Sequence, residues 1–295
     1  MKKKFKSNSG VTLVELLIGV VISSIMMAAL YTSYNVVNNS YSQVSDRANI
    51  SRTGRDITGM LLRDIRMAGY FDINSVRVAS NEMYPIIITK SNTFKGDSRK
   101  CDEISIVYGD INYVKGPPVV ITYPIYKVTY KCIKSKIPDR TQSKNQTGKY
   151  PKLNLFAIYK SKIKWDRAAN SGNGAWDTDP EADGDPNTYP DELIIDYIED
   201  LIFNPIDKKG LIINPAPSKT TNQSKIYEIR AVDISIVLRS TDAFYKTNKD
   251  KKIYSLASSS RDKTSNDKYF REAIVVTAHN RNIGMTKWKI KKVSH

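Results

Sequence analysis

The sequence has little of what catalytic and metal sites usually need. It holds 2 His and 2 Cys in 295 residues, and one of the histidines, His295, is the last residue. A zinc site built from soft ligands would therefore need every His and Cys in the chain. The sequence also lacks a Gly-rich phosphate loop, a G-x-S-x-G nucleophile elbow and a pair of His at zinc-binding spacing. These absences argue against an enzyme, and we predict no catalytic residues.

Acidic residues are also scarce, with 30 Asp and Glu against 46 Lys and Arg, which gives a net charge of +16. The 40% hydrophobic content with 18 Tyr excludes a wholly disordered polycation. Lysines scattered through loops such as residues 246–268 are typical of a solvated surface. The basic and apolar alternation of residues 287–292 fits either a nucleic-acid contact or a Lys-protected edge strand. We do not expect nucleic acid as a partner.

The N-terminus has a basic opening followed by a long apolar run. Residues 1–10 read MKKKFKSNSG, without an acid, and residues 11–30 carry one charge, Glu15. About twenty residues in a helix rise roughly 30 Å, enough to cross a bilayer. Lysines ahead of the span predict a cytoplasmic N-terminus and a translocated remainder. Ala28-Ala29-Leu30 is a poor match to a signal-peptide cleavage site, so we predict a single-pass span.

Glu15 is the anomaly in this span, because a carboxylate is costly inside a membrane. Either it reaches the headgroups or it has a cationic partner. Cleavage of the chain after Gly10 would give Val11 a new α-amino group. The amino terminus of a neighbouring subunit could then neutralise Glu15 in an apolar environment.

The basic leader, Gly10, the run V-T-L-V-E-L and the long apolar helix resemble the type IV prepilin signature. The resemblance implies that prepilin peptidase cuts after Gly10 and N-methylates Val11, which stands where the family usually has Phe. It assigns Glu15 to subunit docking. It also implies three kinds of partner: other major and minor pilins, the peptidase, and the inner-membrane assembly platform. The protein would lie in the inner membrane with a periplasmic domain before assembly, and afterwards in an extracellular pilus.

Apolar residues continue at helical spacing beyond the span. One apolar stripe includes residues 30, 34, 37, 41, 44 and 48. After a phase shift near Gly54, the stripe continues with residues 57, 61, 65 and 68. No Pro precedes Pro85, so we predict one helix from about residue 11 to about residue 68, ending at Gly69.

Beyond residue 70 the pattern changes to short β-like runs separated by polar segments. The predicted strands are Ile86–Thr89, Glu103–Tyr108, Val119–Tyr123, Ile125–Ile133, Leu153–Tyr159, Ile226–Leu238 and Glu272–Ala278. Loops are predicted at residues 139–151, 165–192, 214–225 and 246–268. The expected fold is α+β and pilin-like, with a long N-terminal helix packed on an antiparallel sheet with long insertions. The expected parts are a leader (1–10), a membrane segment (11–30), its amphipathic continuation (31–70) and a β-rich domain (71–295).

Later segments narrow the resemblance. Arg63–Tyr70 resembles the R-x-A-G-Y element that ends the long helix of PilW-type minor pilins. The later strands of these proteins are similar to three further segments: Asp191–Pro205, Glu228–Leu238 and Tyr269–Asn282. This implies a minor pilin that starts the filament or lies near its tip, and Glu15 implies docking beneath or beside another subunit. J-type pseudopilins of type II secretion share the layout and remain an alternative. A pilus-displayed receptor for DNA or surfaces is a second alternative.

Cys101 and Cys132 lie in two predicted strand regions. In an oxidising compartment they can form a disulfide, which would stabilise the fold by about 3–4 kcal/mol. The alternative is two buried thiols. Because neither cysteine belongs to a C-x-x-C motif, we predict a structural role.

Five acids alternate along one loop: Asp177, Asp179, Glu181, Asp183 and Asp185. Carboxylates on a turn can converge on Ca²⁺, and the run from Asp179 imitates the start of an EF-hand loop. However, Pro190 stands where the bidentate Glu should be. We therefore favour a solvated acidic loop, keep calcium as the alternative, and predict no other cofactor.

Overall fold

The structure is a computed structural model that describes residues 10–70, 83–90, 101–114, 120–139, 143–172, 174–254, 256 and 261–283. The chain divides into two compact units, Met1–Ala48 and Asn49–His295. An α-helix, α1, covers Leu13–Met67. The predicted long N-terminal helix is thus confirmed. The predicted leader up to Ser9 and the basic tail at 287–292 lie outside the described residues.

The strands follow α1 along the described chain. They are β1 Ile86–Thr89, β2 Glu103–Gly109, β3 Asn112–Val114, β4 Val120–Thr122, β5 Ile125–Lys134, β6 Phe156–Asp166, β7 Ala175–Trp176, β8 Tyr189–Ile206, β9 Ala231–Arg239, β10 Lys249–Ile253, β11 Lys263–Asp267 and β12 Arg271–His279. Short 3₁₀ helices cover Asn170–Gly172 and Gln223–Glu228.

The main sheet is antiparallel, in the order β1-β2-β5-β6-β8-β9-β12, with β7 paired to β6. Two hairpins, β3-β4 and β10-β11, form separate two-stranded sheets. The sheet curls, since the backbone N–H of Asp102 donates to the carbonyl of Leu201 on β8 at 2.9 Å. The start of β2 therefore contacts β8, although β5 and β6 lie between these strands in the sheet order.

The core lies between one face of the sheet and the last turns of α1. Ile57, Leu61 and Ile65 are at most 1% exposed. They belong to one apolar cluster with sheet residues that include Ile104, Ile106, Tyr130, Phe156, Ile158, Phe203, Ile234 and Ile236. Burial of this stripe is the main stabilisation of the helix, because each large apolar side chain contributes about 1.5–3 kcal/mol. The fold class predicted from the sequence is confirmed.

Gly54 explains the phase shift in the apolar stripe of α1. A Cβ atom at this position would lie 2.0 Å from the Cδ1 of Ile274 and 3.0 Å from the Cδ1 of Leu238. A side chain here would force Ile274 to move, whereas glycine lets the helix backbone lie close to β9 and β12 without a shift. The apolar stripe therefore restarts after Gly54 because the helix packs through its backbone at that turn.

The glycine predicted to end the helix has the conformation that such a stop requires. Gly69 has a φ of +72°, and its N–H donates to the carbonyl of Val107 on β2 at 2.9 Å. A left-handed residue just beyond a helix is favourable for Gly, since it has no Cβ to clash.

Several predicted boundaries are wrong. Residues 226–230 are not strand: the 3₁₀ helix ends at Glu228 and β9 begins at Ala231. The predicted loop 165–192 holds the end of β6, all of β7 and the start of β8, and the predicted loop 246–268 holds the hairpin β10-β11. The Lys, Asp and Asn content of these segments suggested loops, but solvent-facing strands have the same composition when cross-strand pairs such as Asn266 to Asp250 (2.6 Å) hold them.

Candidate functional site at the head of the N-terminal helix

The helix begins with a reciprocal cap between two side chains. The Oε2 atom of Glu15 accepts hydrogen bonds from the backbone N–H of Thr12 at 2.8 Å and from its hydroxyl at 2.9 Å. In return, the N–H of Glu15 donates to the Thr12 hydroxyl oxygen at 3.3 Å. This is a capping box, which satisfies two of the free N–H groups at a helix start.

Glu15 therefore has a structural role within its own chain, and Thr12 is the functional residue that the sequence reasoning missed. The signal was present, because T-x-x-E ahead of an apolar run is a helix-start pattern. The cap uses only part of the hydrogen-bonding capacity of the carboxylate, since an ionised side chain has about four acceptor positions. Glu15 is exposed in the chain and can accept a further donor.

The segment that follows the cap is apolar on all sides and uncovered. An 18-residue window of α1 has a mean hydropathy of 2.4 and is 0% buried. The helix is thus long and apolar enough to cross a membrane, by length and composition. Beyond it, the residues of the predicted stripe remain exposed, with Tyr41 at 74% and Val44 at 67%.

The predicted cleavage site lies directly before the cap. Gly10 and Val11 are both exposed, with Val11 at 76%, and no atom lies within 4 Å of the position that a Cβ on Gly10 would take. The peptide bond between them is open to a protease, and Val11 lies four residues before Glu15. One short stretch thus combines an accessible bond, an acid and an apolar helix.

These features define a class: a chain with an N-terminal helix that is long and apolar enough to cross a membrane, with one acid at its head. The model of the prokaryotic N-terminal methylation motif matches residues 5–31. The N-terminus is accordingly type IV prepilin-like. No curated protein matches the chain. Among solved structures, a type IV-like pilin from Thermus thermophilus is similar, at 10% identity and a TM-score of 0.45, with 79% of this chain and 96% of that chain covered.

The two cysteines are paired. Cys101 and Cys132 form a disulfide with their Cα atoms 5.9 Å apart. The backbone of Cys101 forms an isolated β-bridge with Leu201 on β8, and Cys132 lies on β5. The bond joins the curled edge of the sheet to a strand of its interior, which is a structural position.

The five acids of the predicted loop do not converge. Asp177 accepts from the N–H of Asp179 at 2.9 Å, and Asp183 accepts from the N–H of Asp185 at 2.7 Å and from the Thr188 hydroxyl at 2.8 Å. Within the described ranges, which include all of residues 174–200, no group of three or more His, Cys, Asp or Glu is arranged to hold a metal ion. Three of the five acids, Asp177, Asp183 and Asp185, accept hydrogen bonds from backbone N–H groups of the same loop.

Two sequence elements that carried the finer resemblance meet in the structure. The side-chain amide of Asn280 donates to the carbonyls of Ile65 at 2.8 Å and Ala68 at 2.9 Å, and that of Asn282 donates to the carbonyl of Arg66 at 2.9 Å. The chain segment after β12 therefore caps the free carbonyls at the end of α1.

Buried charges hold the helix and the sheet together. Asp64 on α1 accepts from the Tyr130 hydroxyl at 2.6 Å and pairs with Lys160 at 2.9 Å. Burial, and then the charge of Asp64, raise the pKa of Tyr130. Burial alone would lower the pKa of Lys160, but the hydrogen bonds and charge interactions with Asp64 and Tyr189 together outweigh burial, and the pKa is raised. Such pairs are satisfied structural contacts.

Proposed function

We propose that this protein is a minor pilin of a type IV pilus, of the PilW type, that acts by assembly and not by catalysis. The observation that carries the proposal is the methylation motif at residues 5–31, placed at the head of a helix whose apolar window is 0% buried. An uncovered apolar helix of this length is stable only in a membrane or among other helices. Partners are therefore other pilins, with prepilin peptidase acting on the chain first.

The mechanism follows from the geometry of the helix head. Cleavage after Gly10 removes the lysines that hold the N-terminus in the cytoplasm and leaves an α-amino group on Val11. Glu15 of one subunit meets the N-terminal amine of a neighbour, while its Oε2 atom keeps the cap with Thr12. Pairing of opposite charges removes the cost of moving Glu15 into the apolar interior of a filament. Burial of the exposed helix side chains supplies the driving force.

The contact between the end of α1 and the segment after β12 supports the finer assignment to the PilW type. Both Arg63–Tyr70 and Tyr269–Asn282 resemble elements of that group, and hydrogen bonds join the ends of the two segments. A J-type pseudopilin of type II secretion is the alternative, because the same helix head serves that machine.

Mass spectrometry of the protein from its native cells tests the processing. We expect a mature chain that begins at Val11 and carries an N-methyl group. A native chain that retains residues 1–10 would overturn the proposal. Gly10→Val should block cleavage, whereas Gly19→Val, at an equally open helix position, should leave cleavage unchanged. Detection of the mature chain in sheared and purified pili then separates a pilus subunit from a secretion pseudopilin.

A further inference from the structure

Lys90 places an amine beside the side-chain amide of a buried asparagine. Its Nζ atom donates to Oδ1 of Asn204 at 3.0 Å, to Oδ2 of Asp102 at 2.8 Å and to the carbonyl of Phe203 at 2.5 Å. A lysine amine is a nucleophile once it loses a proton. The Cγ atom of an asparagine is an electrophile whose leaving group is ammonia. These two groups are in hydrogen-bond contact.

Two of the three groups are buried, whereas the Lys90 side chain is 38% exposed. Asp102 is 0% exposed and Asn204 is 7% exposed. The Asn204 amide is held at its other end, where Nδ2 donates to the carbonyl of Leu256 at 3.4 Å. Exclusion of water strengthens the electrostatic contacts of the site and favours uncharged forms of its groups.

The charges around Lys90 allow it to become neutral. The second oxygen of Asp102, Oδ1, accepts from Arg261 at 3.0 Å, and Arg261 also pairs with Asp200. The opposite charges of Arg261 and Asp200 cancel, and so do those of Lys90 and Asp102. Transfer of a proton from Nζ to Oδ2 leaves the net charge of the cluster unchanged. Burial lowers the pKa of Lys90, which favours this transfer, although the charge of Asp102 opposes it.

We propose that Lys90 and Asn204 form an intramolecular isopeptide bond, with Asp102 as the group that carries the proton. Asp102 takes a proton from the Lys90 ammonium, and the neutral Nζ attacks Cγ of Asn204. The Nζ–Cγ bond forms, a second Nζ proton passes to Nδ2, and the Cγ–Nδ2 bond breaks to release ammonia. Asp102 then returns its proton to the ammonia, which leaves as ammonium. No oxidant, reductant or other reactant is needed.

The bond would have a defined mechanical effect. Lys90 directly follows the edge strand β1, and Asn204 lies within β8, so the link closes the curl of the sheet. Asp102 is adjacent to Cys101, whose disulfide to Cys132 lies in the same region. Two covalent links would thus hold the curled edge against force, whether or not the chain enters a filament.

Intact-mass measurement of the full chain from native cells, with cysteines reduced and alkylated, tests the proposal. We expect a mass lower by about 17 Da than the processed sequence requires, which is the mass of the ammonia lost in the substitution. A tryptic digest should give one branched peptide that joins the segments of Lys90 and Asn204, with no cleavage after Lys90.

Variants distinguish the link from other losses of ammonia. Lys90→Arg keeps the positive charge and removes the nucleophile, so the mass deficit and the branched peptide should both disappear. Lys160→Arg is the matched control, since Lys160 also pairs with a buried acid, Asp64, and both signals should persist. A native chain of full mass that is cleaved after Lys90 would overturn the proposal. A deficit that persists in Lys90→Arg would also overturn it, because a succinimide elsewhere would then account for the loss.

Discussion

The side-chain amide of Asn280 donates a hydrogen bond to the backbone carbonyl of Ile65 at 2.8 Å, across 215 positions of sequence. The same side chain binds Ala68, and its Oδ1 atom accepts from the N–H groups of Asn282 and Ile283. Asn280 is 6% exposed. One buried amide therefore joins the end of the long helix to the segment that follows the last strand.

Removal of this amide should destabilise the folded state. We expect Asn280→Ala to lower the free energy of unfolding by about 2–3 kcal/mol, because buried carbonyl and N–H groups lose their partners. Asn282→Ala is the control: its bond to Arg66 is exposed, so the loss should be about 0.5–1 kcal/mol. Chemical denaturation of the detergent-solubilised chain measures both. Equal effects of the two substitutions would contradict the capping role.

Two glycines of α1 should respond in opposite directions. Gly54→Val places a side chain against Ile274 and Leu238, so we expect a loss of about 1–3 kcal/mol from overpacking. No atom lies within 4 Å of a Cβ on Gly59, so Gly59→Ala should raise stability by up to about 1 kcal/mol through helix propensity. Melting temperatures of the two variants and of the wild type measure both effects. A neutral Gly54→Val would show that the helix does not pack through its backbone there.

Asp200 should make stability fall as the pH rises between about 4 and 6. Burial raises the pKa of Asp200 from 3.8 to about 6, and Arg261 only partly offsets this. The folded state therefore binds the proton more tightly than the unfolded state. The contribution of this group is fully present below the unfolded pKa and is lost as the pH rises through about 6.

We expect this contribution to fall by on the order of 1–3 kcal/mol from pH 4 to pH 6. Asp200→Asn should flatten that part of the profile, as measured by urea unfolding at each pH. Asp185 and Asp267 have lowered pKa values, so their contribution is lost only below the unfolded pKa and does not interfere in this range. An unchanged slope in Asp200→Asn would contradict the prediction.

Two substitutions of Glu15 separate its charge from its cap. Glu15→Ala removes both, whereas Glu15→Gln keeps a side chain that can complete the capping box. If the charge meets a neighbouring amine, both variants should be processed normally and both should be lost from filaments by about tenfold or more, as for an ion pair worth more than 1.4 kcal/mol. Immunoblots of sheared pili and of membranes measure this. Normal incorporation of Glu15→Gln into filaments would show that Glu15 acts only as a helix cap.

Calcium should not stabilise the acidic loop, since its carboxylates already cap backbone N–H groups and do not converge. We expect the melting temperature to be the same in millimolar Ca²⁺ and in chelator. Asp183→Ala, by contrast, should lower it, because Thr188 and Asp185 lose their bonds. A calcium-dependent rise that Asp183→Ala abolishes would establish a site there.

The helix and the outline of the sheet were predictable because their signals are local. The apolar spacing around Ile57, Leu61 and Ile65 needs only a period of 3.6 residues, and the strands near residues 104 and 128 need only a period of two. Strand ends in the polar segments were not predictable. The hairpin β10-β11 reads as a loop because its stabilising partners lie on the facing strand and are not adjacent in sequence.

The sequence by itself determined the basic leader, the apolar run, the position of Glu15 and the length of α1, since each depends on residues within a few turns of one another. Tertiary structure alone decided that Gly54 is a contact point, that Asn280 caps the helix, and that Lys90 lies 3.0 Å from Asn204, 114 positions away. These relationships connect distant parts of the chain. No local pattern encodes them, because they arise only when the sheet curls and the helix packs on its face.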